Sequence, residues 1–265
     1  MEKVRVLSLG AGVQSSALCY MYERGDLDGR PDFAVFADTQ REPAEVYEFF
    51  EKLKREIWSS PIYVATKGDL GEWPNKIPFF LKHPNGKRGM GWRQCTNDFK
   101  IQVVNKEVRR VLGYRPRQRW RHHIEMIMGI SCDEAQREKI SQDKWRTNVY
   151  PLLEGWMTRQ DCIDYCKSIG VTPPRSACYF CPYRSKREWA EMKKNHPEDF
   201  QRAVEYDRFI RTDAAKRQGA KAQSRLPQYL SYDLVPLDEM DLSHIDPKSE
   251  FEHGMGNECE GMCGV

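Results

Sequence analysis

Val4-Arg5-Val6-Leu7-Ser8-Leu9-Gly10-Ala11-Gly12-Val13-Gln14-Ser15-Ser16-Ala17-Leu18 is the stretch that decides the fold. Val4 to Leu9 is an apolar run of strand length, Gly10 to Gly12 form a tight turn, and Ala17, Leu18 and Met21 follow with helical spacing. Such a turn leaves backbone N–H groups and hydroxyls pointing at a helix start, which is a phosphate cradle. Ser8, Gly10, Ala11, Gly12, Val13, Gln14, Ser15 and Ser16 are therefore the candidate nucleotide-binding residues.

Outward from this turn the chain alternates. A helix is predicted over Ser15 to Arg24, a strand over Phe33 to Ala37, a helix over Pro43 to Ile57 and a strand over Ile62 to Ala65. Ile124 to Ile130 reads as a later strand. The βαβαβ order implies an α/β fold, a doubly wound parallel sheet, with the ligand at the carboxyl ends of the strands. Lys67 to Gly91, rich in Gly, Pro and Asn, reads as a long surface loop. Beyond Tyr150 the pattern is mostly helical. Thr158-x-x-Asp161 and Ser185-x-x-Glu188 read as capping boxes, and His196-Pro197-Glu198 separates two helices. The expected organisation is a nucleotide-binding α/β domain over 1–150, a helical cysteine-containing appendage over 151–232 and an acidic tail over 233–265 that carries Cys259 and Cys263.

The chain's 265 residues, 40% of them hydrophobic, can bury a full core. No membrane span is visible, and the nine cysteines are spaced for metal rather than for a disulfide framework. The expected compartment is the reducing cytoplasm, with no membrane partner. The net charge of +3 is unevenly spread: residues 100–121 carry eight Lys or Arg against one acid, Glu107. Such a stripe, interleaved with Tyr114 and Trp120, is a candidate surface for nucleic acid. His122 and His123 read as a strand edge, and Cys19, Cys132, Cys162 and Cys166 as core packing.

Cys178-Tyr179-Phe180-Cys181 presents two soft thiolate ligands to one ion. Cys95, 83 residues earlier, is the candidate third ligand, and the tail with Cys263 is a candidate source of the fourth. An iron-sulfur cluster, 4Fe-4S, is expected, with zinc as the alternative. Three ligands alone would leave an open, catalytic coordination site.

Four segments together carry a family resemblance. Gly10 to Ser16 stands where PP-loop enzymes carry Ser-Gly-Gly-x-Asp-Ser, with Gln14 in place of the Asp. Phe36-Ala37-Asp38-Thr39, with Pro43 and Tyr47, resembles the family's second strand end. Gly129-Ile130-Ser131-Cys132-Asp133-Glu134-Ala135-Gln136-Arg137 resembles the family segment that opens Gly-[Leu/Ile]-Arg-x-Asp-[Gln/Glu], with Ser131 in place of the Arg. Tyr150-Pro151-Leu152, running into Ser176 to Cys181, is similar to the stretch that ends in the family's second cysteine pair. The chain thus resembles the phosphoadenosine phosphosulfate (PAPS) and adenylyl-sulfate (APS) reductases of the PP-loop, or adenine nucleotide alpha hydrolase-like, superfamily.

The resemblance implies an adenine nucleotide on the turn, with Asp38, Thr39 and Gly129 at its edge. It places the sulfate near Lys100, Arg137 and Arg184, and makes Cys259 a nucleophile toward sulfur in a Glu-Cys tail. It also implies a thioredoxin-like thiol reductant. Cys259 and Cys263 have two other readings, as cluster ligands or as a zinc pair. A second function places ATP with Mg²⁺ in the same pocket, splits it between the α and β phosphates, and thiolates a nucleic-acid base with sulfur supplied by a cysteine desulfurase. A third is a non-catalytic nucleotide sensor.

Overall fold

The computed structural model describes residues 2–56, 59–213 and 226–245. In chain order the elements are β1 (Glu2–Leu9), α1 (Val13–Arg24), β2 (Phe33–Asp38), α2 (Ala44–Glu56), β3 (Ile62–Thr66), β4 (Phe80–Lys82), β5 (Arg88–Met90), α3 (Gln102–Val111), β6 (His122–Ile127), β7 (Arg146–Val149), α4 (Pro151–Glu154), α5 (Arg159–Ser168), α6 (Lys186–Asn195), α7 (Pro197–Phe209) and β8 (Gln228–Tyr229). No helix among the described residues is long and apolar enough to cross a membrane.

Two compact units emerge. Among the described residues, the first holds those up to 67 and 96–176, and the second holds 68–95, 177–213 and 226–245. This division differs from the expected boundary at 150. Helices α4 and α5 belong to the first unit, and the stretch read as a surface loop belongs to the second.

The first unit is a five-stranded sheet of order β3-β2-β1-β6-β7, parallel throughout. This is the doubly wound α/β fold expected from the sequence. The strands are apolar on both faces because both are covered. Val4 and Val6 of β1 and Phe33 and Val35 of β2 pack with Val104 and Val108 of α3. Leu7, Leu9, Ala34 and Phe36 face the opposite way, toward Leu18 of α1, Phe50 of α2 and Cys162 and Cys166 of α5. Phe36 stacks on Phe50 with ring centroids 4.3 Å apart. The chain builds outward from β1 through β2 to β3, then crosses to β6 on the other side of β1. The switch point therefore lies between the carboxyl ends of β1 and β6, where open α/β sheets bind ligands.

The second unit corrects the loop reading of Lys67 to Gly91. Short 3₁₀ turns at Leu70–Glu72 and Pro74–Lys76 lead into the β4–β5 hairpin, and β8 pairs antiparallel on the other side of β4. Leu70, Ile77, Phe79, Phe80 and Leu81 are buried. Tyr206 of α7 stacks on Phe180 at 4.2 Å, and its hydroxyl donates to the Gly71 carbonyl at 3.0 Å. Both expected capping boxes form, Thr158 with Asp161 and Ser185 with Glu188. His196 and Pro197 separate α6 from α7 as expected.

Candidate nucleotide-binding site

The turn after β1 is held by its own serines. Ala11 sits in the left-handed region at φ 56°, and Gly12 is the extended residue before α1, whose start no side chain caps. Ser15 Oγ accepts from the Gly10 N–H at 3.3 Å and lies 3.4 Å from the Gly12 carbonyl, to which it donates. Ser8 and Ser16 are buried, and their hydroxyls have no hydrogen-bond partner among the described residues. A buried hydroxyl left unmade costs about 1–3 kcal/mol. Two of them beside an uncapped 12-residue helix start suit an anion that accepts hydrogen bonds.

Gln14 plays a different part. Its Nε2 donates to Ser131 Oγ at 3.3 Å and to Glu134 Oε2 at 3.2 Å, which ties the turn after β1 to the segment after β6. Glu134 in turn pairs with Arg137. Gln14 and Ser131, two of the departures from the quoted patterns, thus touch each other. A carboxylate at position 14 would meet the Glu134 carboxylate, and an amide there removes the repulsion. Gly129 is buried between β6 and this segment.

At the end of β2, Asp38 Oδ1 accepts from the Gln40 N–H at 2.7 Å and from the Tyr47 hydroxyl at 2.8 Å. Burial and the Asp38 carboxylate push the Tyr47 phenol well above its ordinary range, so it stays a donor. Thr39 is fully buried beside Asp38. Lys100 lies on a π-helical turn, Asn97–Ile101, that leads into α3. Its Nζ is 3.5 Å from Glu42 Oε1, and both residues are buried. Thr96 is buried too, with no hydrogen-bond partner for its hydroxyl among the described residues.

The three cations expected around a sulfate therefore each have a protein partner. Lys100 has Glu42 and Arg137 has Glu134. Arg184, in the second unit, donates to the Ala177 carbonyl at 3.0 Å. Glu42 and Glu134 were not singled out in the sequence. The available signal was the place of Glu134 in the quoted segment Gly129 to Arg137, three residues past Ser131, and Glu42 carried none.

In the second unit Cys178 and Cys181 share a tight turn, closed by the Cys181 N–H on the Cys178 carbonyl at 2.9 Å. Arg93, two residues before Cys95, lies over the Tyr183 ring at 4.9 Å, which sets the two cysteine-bearing segments side by side. Even so, no three His, Cys, Asp or Glu side chains gather into a metal-ligand group among the described residues. Cys259 and Cys263 lie outside the described residues. The donors that are described do not by themselves make a cluster site.

The basic stripe divides. Lys100 is buried, Arg110 pairs with Glu107, and Arg109 is spent on the carbonyls of Arg115 and Gln118. Trp120 stacks on Trp145 at 3.9 Å, so it is not an open platform for a base. Cys19, Cys162 and Cys166 are core residues. Burial pushes the Cys166 thiol up to about 11 and raises that of Cys19 further.

No family model matches the sequence, and no curated protein matches it. Among solved structures the chain is similar to a phosphoadenylyl-sulfate (PAPS) reductase from Candida auris, in its phosphate complex, at 13% identity and a TM-score of 0.41 over 65% of this chain and 75% of that one.

Proposed function

We propose that this chain is a sulfonucleotide reductase-like enzyme that holds an adenylyl nucleotide by its phosphates on Gly10 to Ser16. One observation carries the nucleotide reading. At the switch point of a parallel sheet, Ser8 and Ser16 bury hydroxyls with no partner among the described residues, beside an uncapped helix start. The motif resemblance supplies the rest of the reading.

In the reaction, the Cys259 thiolate attacks the sulfonucleotide sulfur. The sulfur–oxygen bond breaks, the electron pair leaves on the nucleotide phosphate, and a thiosulfonate remains on Cys259. A second thiol then attacks the Cys259 sulfur, forms a disulfide and releases sulfite. A thioredoxin-like dithiol supplies the two electrons that reset the enzyme. Lys100 and Arg137 neutralise charge on the bound anion by exchanging Glu42 and Glu134 for it. Cys95, Cys178 and Cys181 are proposed ligands of an iron-sulfur cluster or a zinc ion, with Cys263 as a candidate fourth.

The second reading, ATP-dependent thiolation of a nucleic-acid base with Mg²⁺, draws on the arginine-rich loop before β6. That loop sits at the amino ends of the parallel strands, away from Gly10 to Ser16, which weighs against delivery of a base to the pocket.

Titration calorimetry with PAPS, APS and ATP on anaerobically purified protein, with iron, sulfide, zinc and sulfite assays, tests the proposal. The expected result is tighter binding of a sulfonucleotide than of ATP, and sulfite release that Cys259→Ser abolishes. Cleavage of ATP to AMP and pyrophosphate without sulfite release would overturn it.

A further inference from the structure

Residues 108–124 contain six arginines, two histidines and no acid. The structure sorts them sharply. Arg115, Arg117, Arg119 and Arg121 are exposed and form no ion pair among the described residues. Three nearby carboxylates are already committed to other cations, Glu107 to Arg110 at 2.6 Å, Glu125 to Lys3 at 2.7 Å and Asp143 to Arg146 at 3.6 Å, and Glu2 lies 3.6 Å from the His122 ring. Four arginine charges are left uncompensated within seven residues.

The loop that presents them is built rather than slack. The Tyr114 hydroxyl accepts from the N–H groups of Arg121 and His122 at 2.7 and 2.9 Å. The Arg115 N–H donates to Gln118 Oε1 at 2.8 Å, and Arg109 Nη2 donates to the Gln118 carbonyl at 2.6 Å. Trp120 packs on Trp145, which pins the chain between the exposed Arg119 and Arg121. A pre-ordered loop loses little entropy when it binds.

We infer that this loop is a binding surface for the phosphate backbone of double-stranded nucleic acid. Guanidinium forks match phosphate oxygens. Trp120 and Tyr114 are committed to internal packing, so stacking on unpaired bases is not what the surface offers. The same commitment removes the apolar side chains that insertion into a lipid surface would need. His122 pairs with Glu2 at the start of β1, whereas Gly10 follows its end, so the surface lies roughly 25 Å along the strand from the phosphate cradle. It anchors the protein on the polymer and leaves the nucleotide pocket open. This inference is independent of the reaction carried out there.

The test is fluorescence anisotropy with a labelled duplex of arbitrary sequence. Four phosphate contacts give a slope of log affinity against log salt of about −3.6, so affinity should fall about 150-fold between 50 and 200 mM salt. The variant Arg115→Gln, Arg117→Gln, Arg119→Gln, Arg121→Gln should lose that slope and keep its nucleotide affinity. If the fourfold variant fails to fold, Arg117→Gln with Arg119→Gln carries the test, and the slope should halve. Three outcomes would overturn the inference: no duplex binding at about 50 mM salt, an unchanged slope in the variants, or binding to phosphatidylserine vesicles without binding to duplex.

Discussion

Gln14 Nε2 lies 3.2 Å from Glu134 Oε2, across 120 residues of sequence, and joins the two loops that flank the switch point. Because the acceptor is a buried carboxylate, the side chain at position 14 has to be a donor and cannot itself be a carboxylate. Gln14→Glu sets two carboxylates against each other and raises the folded-state pKa of the pair above its unfolded value. A raised carboxyl pKa destabilises the fold above that pKa, and the penalty fades as pH falls toward the ordinary value. The variant should melt about 5 °C below the parent at pH 7.5, on the order of 2 kcal/mol, with a smaller gap at pH 5. Equal gaps at both pH values would show that the two residues are not coupled.

Ser16 separates ligand binding from stability. Its hydroxyl has no partner among the described residues, so Ser16→Ala removes an unmet group and should leave the melting temperature level or slightly raised. A hydrogen bond to a charged phosphate contributes about 1.5–3 kcal/mol, so nucleotide affinity should drop about 10- to 100-fold. Calorimetry and a thermal melt on the same preparation read both effects. Lost stability with unchanged affinity would take the hydroxyl out of the site.

Lys100 and Glu42 form a buried pair, and removing one partner of such a pair is costly. Lys100→Met should cost about 3 kcal/mol in denaturant unfolding. Adding Glu42→Gln should recover at least half of that loss, because the carboxylate that needed the ammonium is gone. The double variant should still bind nucleotide more weakly than the parent, since the cation proposed to meet the anion is missing. Full recovery of affinity would reduce Lys100 to a structural lysine.

What was legible in the sequence followed local pattern. Val4 to Leu9, Phe33 to Ala37 and Ile62 to Ala65 are apolar runs cut by turn residues, and each forms the strand it predicts, longer by a residue or two. The Thr158 and Ser185 capping boxes are equally local. The second unit was hidden because it is built from distant pieces. Phe80 pairs with Tyr229, a partner 149 residues away, and β4 and β5 are three residues each within a Gly- and Pro-rich stretch. In the site, the glycine turn was readable, yet Lys100 and Arg137 looked free because nothing local marks their partners as buried, neither Glu42 in its loop nor Glu134 on the 3₁₀ turn Cys132–Arg137. Only the fold brings those charges inside.

Thiol chemistry tests the cysteine assignments together. Burial raises the Cys166 thiol from 9.0 to about 11, which lowers its thiolate fraction about 100-fold at pH 8. Cys19 is pushed further in the same direction, and both lie in the core with Cys162. Brief iodoacetamide treatment, mapped by mass spectrometry, should leave all three unmodified in the native protein and label them only in denaturant. Cys95 and Cys181 are partly exposed, so burial alone does not protect them. If they are metal ligands, labelling at both should be slow in the protein as purified and fast after chelation. Equal labelling before and after chelation would make them ordinary surface thiols, and the sulfur chemistry would then rest on Cys259 without a metal beside it.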